Sequence, residues 1–124
     1  MQGITAQIKQ RLFNGLNNTN FRVMRIKMKI IEITENKKQY LDLLLLADEQ
    51  ENMIDRYLNK GRMYVLDDKG IKCECVVTNE GNEVLEIKNI ATAPGYQGKG
   101  YAKTLIDFIV EKYGKQYAIL QVGT

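Results

Sequence analysis

Two short turn sequences divide the middle of the chain into three strands, and no other feature limits the available folds as strongly. The runs 62–66, 71–78 and 83–92 are rich in apolar and β-branched residues. They are separated by residues 67–70 (Asp-Asp-Lys-Gly) and 79–82 (Asn-Glu-Gly-Asn), which supply the glycine and asparagine that turns with positive φ require. Strands joined by such tight turns pair in antiparallel fashion, so this segment is predicted to be a three-stranded meander.

A strand and two helices are predicted before the meander. Residues 25–34 show the apolar and basic alternation of a strand, and Thr34 is placed to cap the helix that follows. Residues 35–58 contain two apolar helical faces that are broken around an acidic cluster at 48–51. Gly61 is predicted to be the left-handed residue that ends the second helix.

A helix over about 100–113, ended by Gly114, and a last strand over 117–122 are predicted after the meander. The element order is therefore β-α-α-β-β-β-α-β. It predicts an α+β fold with a mixed, mainly antiparallel sheet flanked by helices, and with one strand-helix-strand crossover at its end.

Residues 1–24 are treated as a basic N-terminal extension, and the domain is predicted to cover residues 25–124. The first 31 residues contain no acidic residue and six basic ones: Lys9, Arg11, Arg22, Arg25, Lys27 and Lys29. Three interpretations of the extension stand: a segment packed on the domain, an organelle-targeting arm, or residues translated upstream of a true start at Met24 or Met28.

Composition excludes several classes of protein. No apolar run approaches the roughly 20 residues that a membrane-spanning helix needs. Outside the first 31 residues the net charge is −3 (12 basic minus 15 acidic residues), which does not fit a nucleic-acid-binding surface and leaves the basic extension as the only candidate for such contact. There is no histidine, and Cys73 and Cys75 are the only cysteines, so a zinc site lacks ligands and no metal site is predicted. We interpret the two thiols as reduced and partly buried in a cytoplasmic protein.

A glycine-containing loop between the third meander strand and the late helix is the one segment with evident chemistry. Backbone N–H groups at a helix N-terminus bind phosphate, and Gly98 and Gly100 let the backbone approach an anion closely. Lys99 and Lys103 add positive charge. The P-loop pattern fails because Tyr101 and Ala102 follow Gly100, and the dinucleotide pattern fails because Lys103 occupies a glycine position.

The same loop fits a third pattern: Gln or Arg, two residues, Gly, one residue, then Gly or Ala. Gln97, Gly100 and Ala102 satisfy it in register, after a strand end and turn that contain Pro94, the only proline. Over residues 28–124 the chain therefore resembles the GNAT family of N-acetyltransferases. The resemblance implies a three-layer acyl-CoA N-acyltransferase-like fold, with acetyl-CoA as cosubstrate and direct transfer to an amine.

The resemblance also implies how acetyl-CoA would bind. The pantetheine arm would pair with the strand that precedes the loop, in the cleft where this strand splays from the last strand, and the loop amides would hold the pyrophosphate. The residues implied are Ile90, Ala91 and Thr92 for the arm, and Gln97, Gly98, Lys99, Gly100, Tyr101 and Ala102 for the pyrophosphate.

Glu86 is the candidate catalytic base, because a chain without histidine needs a carboxylate for this role. It lies eleven residues before Gln97, which resembles the position of the catalytic glutamate in histone-modifying family members. The alternative is a solvated strand carboxylate beside Lys88. The family's oxyanion donor would be a backbone N–H near Ile90 or Ala91. In this family a tyrosine usually acts as the general acid that protonates the departing thiolate. Four tyrosines of this chain are assigned packing roles instead: Tyr96, Tyr101, Tyr113 and Tyr117.

Family members continue with a fourth helix and two more strands, so the resemblance predicts a C-terminally truncated, incomplete domain whose last strand exposes an edge. The acceptor is expected to be an amine-bearing small molecule or protein. The acidic cluster Asp48, Glu49 and Glu51 either attracts a cationic amine or is a solvated helix junction. The alternative function is a weak or inactive remnant that binds CoA or forms a homo-oligomer across the exposed edge.

Overall fold

A computed structural model of the protein describes residues 28–123. Within this range the chain forms five strands, three α-helices and one 3₁₀ helix, and no helix is long and apolar enough to cross a membrane. In chain order the elements are β1 (Met28–Ile33), the 3₁₀ helix (Lys37–Tyr40), α1 (Leu41–Ala47), α2 (Glu51–Leu58), β2 (Arg62–Asp68), β3 (Ile71–Gly81), β4 (Val84–Thr92), α3 (Tyr101–Tyr113) and β5 (Ile119–Val122). The predictions for residues 1–24, and the start of the predicted strand 25–34, lie outside the described residues.

The five strands form one sheet in the order β1-β2-β3-β4-β5. The first four are antiparallel neighbours, whereas β4 and β5 are parallel and are connected through α3. The predicted meander and the single crossover are thus confirmed. The turns also have the predicted positive φ angles: 56° and 110° at Lys69 and Gly70, and 84° and 52° at Gly81 and Asn82.

Helices cover both faces of the sheet and divide the core into two layers. Under α3, the buried residues include Tyr64, Cys73, Cys75, Val77, Leu85, Ile87, Leu105 and Ile109. Under α1 and α2, they are Leu44, Ile54, Tyr57, Leu58, Met63, Val65 and Val76. Both cysteines are free, and they share the α3 face as strand alternation predicts. This layered arrangement confirms the predicted fold class.

Gly61 has a different role from the predicted one. It is not left-handed, and the residue that follows α2 is Asn59 in right-handed helical geometry. A Cβ atom at Gly61 would lie 2.9 Å from both the carbonyl oxygen of Tyr57 and Cγ1 of Val76. A glycine is needed here because the end of α2 passes close to β3, and a side chain would collide with both.

Of the other two predicted helix signals, the cap at Thr34 is wrong, and the end of α3 at Gly114 is confirmed. Asn36, with φ of 50°, precedes the 3₁₀ helix in place of Thr34, and no side chain caps that helix. Gly114 follows α3 as predicted, but its φ of −63° is right-handed. A Cβ atom there would lie 2.6 Å from the carbonyl oxygen of Val110, so lack of space requires glycine at this position also.

Candidate functional site

The loop between β4 and α3, residues 93–100, begins with a tight turn. Tyr96 donates its backbone N–H to the carbonyl oxygen of Ala93 at 3.1 Å, and Gly95 has a φ of 87°. Proline at the second position and a positive-φ glycine at the third are typical of a type II turn. The N–H of Ala93 is bonded to the carbonyl oxygen of Lys72 on β3, at 2.8 Å. The loop therefore leaves the sheet at a fixed point.

The N-terminus of α3 faces this loop without a side-chain cap. Gly100 precedes the helix with a φ of 86°, and Gly98 has a φ of 78°, both in the left-handed region that favours glycine. Thr104 directs its hydroxyl to the carbonyl oxygen of Gly100 at 2.9 Å, not to an N–H group. Among residues 28–123, no side chain caps the helix start. The first-turn N–H groups therefore have no side-chain acceptor among the described residues, and anion binding by residues 97–102 stays a prediction.

Two lysine side chains lie close to the aromatic ring of Tyr96, which is part of the loop. The Nζ atom of Lys72 lies 4.3 Å from the ring centroid, and that of Lys99 lies 5.4 Å from it. Tyr101, the first residue of α3, donates its hydroxyl to Asp68 of β2 at 2.7 Å. The two lysines place positive charge beside the loop. The hydrogen bond from Tyr101 to Asp68 fixes the start of α3 to β2.

The pairing between β4 and β5 covers only the first part of β4. It runs from Val84 opposite Ile119 to Ile87 opposite Val122, and the N–H of Gly123 adds a bond to the carbonyl oxygen of Ile87 at 2.8 Å. Within residues 28–123, the rest of β4 has no pairing on this side. The three residues predicted to contact the pantetheine arm, Ile90, Ala91 and Thr92, lie in this unpaired part.

A β-bulge at Lys88 exchanges the two faces of β4. Val76 is opposite Asn89 whereas Val77 is opposite Ile87, so Lys88 is an extra residue. Ile87 packs under α3, and Ile90 packs there too. Asn89 instead bonds to residues under α1 and α2. The bulge lies where the pairing with β5 ends, next to the backbone predicted to supply the oxyanion donor.

Glu86 lies on β4 just before the bulge, on the α1/α2 face of the sheet. Its carboxylate is paired with the ammonium group of Lys88 and accepts a hydrogen bond from the side-chain amide of Gln121. The hydrogen bond with Lys88 is the main cause that lowers the pKa of Glu86. The carboxylate is therefore held in the ionised form, near the end of the β4–β5 pairing but away from the glycine loop.

A buried polar cluster on the α1/α2 face was not predicted from the sequence. Asn89 donates from Nδ2 to the carbonyl oxygen of Leu44 at 2.9 Å and to the hydroxyl of Tyr57 at 3.0 Å. Tyr57 in turn donates to Asp48 at 3.3 Å. Glu74 on β3 is fully buried, and neither of its carboxylate oxygens has a hydrogen-bond partner among residues 28–123. Its position between two cysteines gave no signal, because strand alternation cannot reveal that helices cover both faces of β3.

Comparison with known proteins identifies the fold. Residues 59–123 match the family described as "Acetyltransferase (GNAT) domain". An uncharacterised N-acetyltransferase of Bacillus subtilis, YvbK, is 32% identical over 100 residues, which are 79% of this chain and 64% of that protein. The chain thus spans less than two thirds of the length of this relative.

Two solved structures are similar as well. A GNAT family acetyltransferase from Elizabethkingia anophelis, with acetyl-CoA bound, is 32% identical with a TM-score of 0.70, covering 79% of this chain and 65% of its own. An IAA acetyltransferase from Bacillus cereus is 37% identical with a TM-score of 0.68, covering 78% and 65%. Since the matched family segment makes up more than half of the sequence and contains the loop, the chain belongs to the GNAT acetyltransferase family.

Proposed function

We propose that the chain binds acetyl-CoA and carries out N-acetyl transfer from it to a primary amine of a small molecule or protein. In this proposal the backbone amides of residues 97–102 hold the pyrophosphate, and the pantetheine arm lies along Ile90, Ala91 and Thr92. The uncapped helix start beside the unpaired end of β4 is the observation that carries the proposal. The acetyl-CoA in the E. anophelis structure supports it by similarity.

The reaction needs a donor to the developing oxyanion and a base for the amine. We assign the donor to the backbone N–H of Ile90, just past the bulge, because the N–H of Ala91, like that of Ala93, points to β3. Glu86 is the proposed base and receives the amine proton through water. The amine attacks the thioester carbon directly, so no acyl-enzyme forms.

Thiol release from acetyl-CoA tests this function. The chain is incubated with acetyl-CoA and one amine at a time: 1,4-diaminobutane, tyramine or lysine amide. Free CoA is then measured with a thiol reagent. Release that depends on an amine is the expected result, together with calorimetric binding of CoA. Absence of CoA binding would refute the whole proposal, whereas binding without release with any of these amines would refute only the transfer step.

Substitution Glu86→Gln is expected to lower kcat about tenfold while leaving the Kd for acetyl-CoA unchanged. The expected effect is smaller than is usual for a general base, because the paired carboxylate, with its lowered pKa, is a weak proton acceptor. Steady-state kinetics and calorimetry measure the two quantities. The exposed Glu35→Gln is the control, and an equal kcat in both variants would reject the role of Glu86.

A second candidate function is that of a weakly active or inactive module that binds CoA or associates with another copy of the chain. It is favoured by the apolar side chains on β5, the last strand in the sheet order, where Ile119 is 52% exposed and Val122 is 64% exposed. Concentration-dependent mass from light scattering, without amine-dependent thiol release, would support this candidate over the first.

A further inference from the structure

The fully buried carboxyl of Glu74 has no evident structural purpose. It lies on the face that packs under α1 and α2, where most side chains are apolar, and neither oxygen accepts a hydrogen bond from residues 28–123. Burying a polar group without a partner costs free energy that a leucine at this position would not. Buried ionisable groups in such surroundings are typical of functional sites.

Glu74 lies close to the backbone that is proposed to hold the thioester. It is directly opposite Ala91 in the β3–β4 register, and facing Cβ atoms of antiparallel neighbours are about 5 Å apart. Ala91 contributes only a methyl group between Glu74 and the unpaired edge of β4. Asn89, the diagonal neighbour on the same face, has a second buried acceptor, Oδ1, without a partner among the described residues.

Glu74 and Glu86 lie on the same face of the sheet, on opposite sides of the point where the β4–β5 pairing ends. Burial raises the pKa of Glu74 to about 8, so its carboxyl is mostly protonated at pH 7. The partners of Glu86 lower the pKa of that carboxyl. Two carboxyl groups whose pKa values are displaced in opposite directions are suited to separate acid and base roles.

We propose that Glu74 is the general acid that protonates the departing CoA thiolate. This inference rests on the proposed acetyl transfer. The amine nitrogen bonds to the carbonyl carbon, and the carbon–sulfur bond breaks with its electron pair left on sulfur. Sulfur takes the proton of Glu74, directly or through one water, and the surplus proton of the amine passes to Glu86. Exchange with solvent restores both carboxyl groups.

Few other charges act on Glu74. The α2 helix presents the hydroxyl of Tyr57, which is bonded to Asp48 of the α1–α2 junction. From β2 and β4 the facing side chains are the uncharged Val65, Ala91 and Asn89. On its own strand the neighbours are the thiols of Cys73 and Cys75, and Lys72, whose Nζ is bonded to the carbonyl oxygen of Lys69. An alkaline transition in activity is therefore expected to report Glu74 itself.

The pH dependence of kcat tests the inference, with acetyl-CoA and whichever of the three amines gives the fastest release. Activity of the unsubstituted chain is expected to fall as pH rises through about 8, because the acid loses its proton. Glu74→Gln is expected to lower kcat at pH 7 at least tenfold and to abolish this alkaline fall. Glu74→Asp, which keeps a carboxyl, should retain the fall and part of the rate.

The outcomes separate the two proposals. An alkaline fall that persists in Glu74→Gln, or an unchanged kcat at pH 7, would overturn the role of Glu74 and leave the acetyl transfer standing. If the unsubstituted chain binds acetyl-CoA but none of the three amines is acetylated, the transfer proposal fails and this inference fails with it. Unchanged acetyl-CoA affinity in Glu74→Gln is required in either case, since Glu74 is not placed at the loop.

Discussion

Substitution Gly100→Val is expected to weaken CoA binding at least about a hundredfold, or roughly 2.7 kcal/mol. The φ of 86° at Gly100 is strained for any other residue and most strongly for a β-branched one. Apart from its chain neighbours, no heavy atom lies within 4 Å of the position that a Cβ would take, so the expected loss comes from the strained φ and the change it imposes on the backbone at the start of α3. Isothermal titration calorimetry with CoA measures the loss.

Gly81→Val is the matched control for this experiment. Gly81 has nearly the same φ, 84°, and the same open surroundings, but it lies in the β3–β4 turn at the other end of β4. Both variants should lose similar thermal stability, and only Gly100→Val should lose CoA affinity. Equal affinities in the two variants would remove the loop from the binding site.

Substitution Glu74→Gln is expected to stabilise the protein at pH 9 by on the order of 5 kcal/mol and to have little effect at pH 4. Folding raises the pKa of Glu74 from 4.5 to about 8 through burial. Between these two values the folded chain binds more protons than the unfolded chain, so the contribution of Glu74 to stability falls as pH rises. Above pH 8 the folded protein contains an unpartnered buried charge, which glutamine removes.

Urea unfolding of both proteins between pH 4 and pH 9 measures this effect, provided that each transition is two-state. The exposed Glu49→Gln should change stability by little at every pH. A difference between Glu74→Gln and the unsubstituted protein that stays constant across the range would contradict the buried, raised-pKa description of Glu74. This stability measurement does not depend on any acetyl-transfer activity.

Local sequence signals predicted much of this fold because they act over a few residues. The turns at 67–70 and 79–82 contain residues that adopt positive φ, and the structure has positive φ at Gly70 and Gly81. The glycine loop was predicted from the same kind of signal, and Gly98 and Gly100 are indeed left-handed. Whether these residues bind CoA stays a prediction.

Positions whose role depends on residues distant in the sequence were predicted wrongly or not at all. Gly61 is glycine because α2 meets β3 there, and no local pattern distinguishes this reason from a left-handed cap. Glu74 alternates with two cysteines and would be solvated in a sheet with one open face. It is buried because β3 is the central strand of a sheet that is covered on both faces. Helices flanking the sheet were predicted, but the residues around Gly61 and Glu74 do not indicate which neighbours these two positions contact.

The bulge at Lys88 reverses the alternation of side chains along β4, so that odd-numbered residues face different helices before and after it. Before it, the odd-numbered side chains Leu85 and Ile87 belong to the layer under α3; after it, odd-numbered Asn89 and Ala91 belong to the layer under α1 and α2. If β4 instead ran through Lys88 without a bulge, Asn89 would lie beneath α3 and Ile90 beneath α1 and α2. The one extra residue therefore decides which helices cover each side chain in the second half of β4.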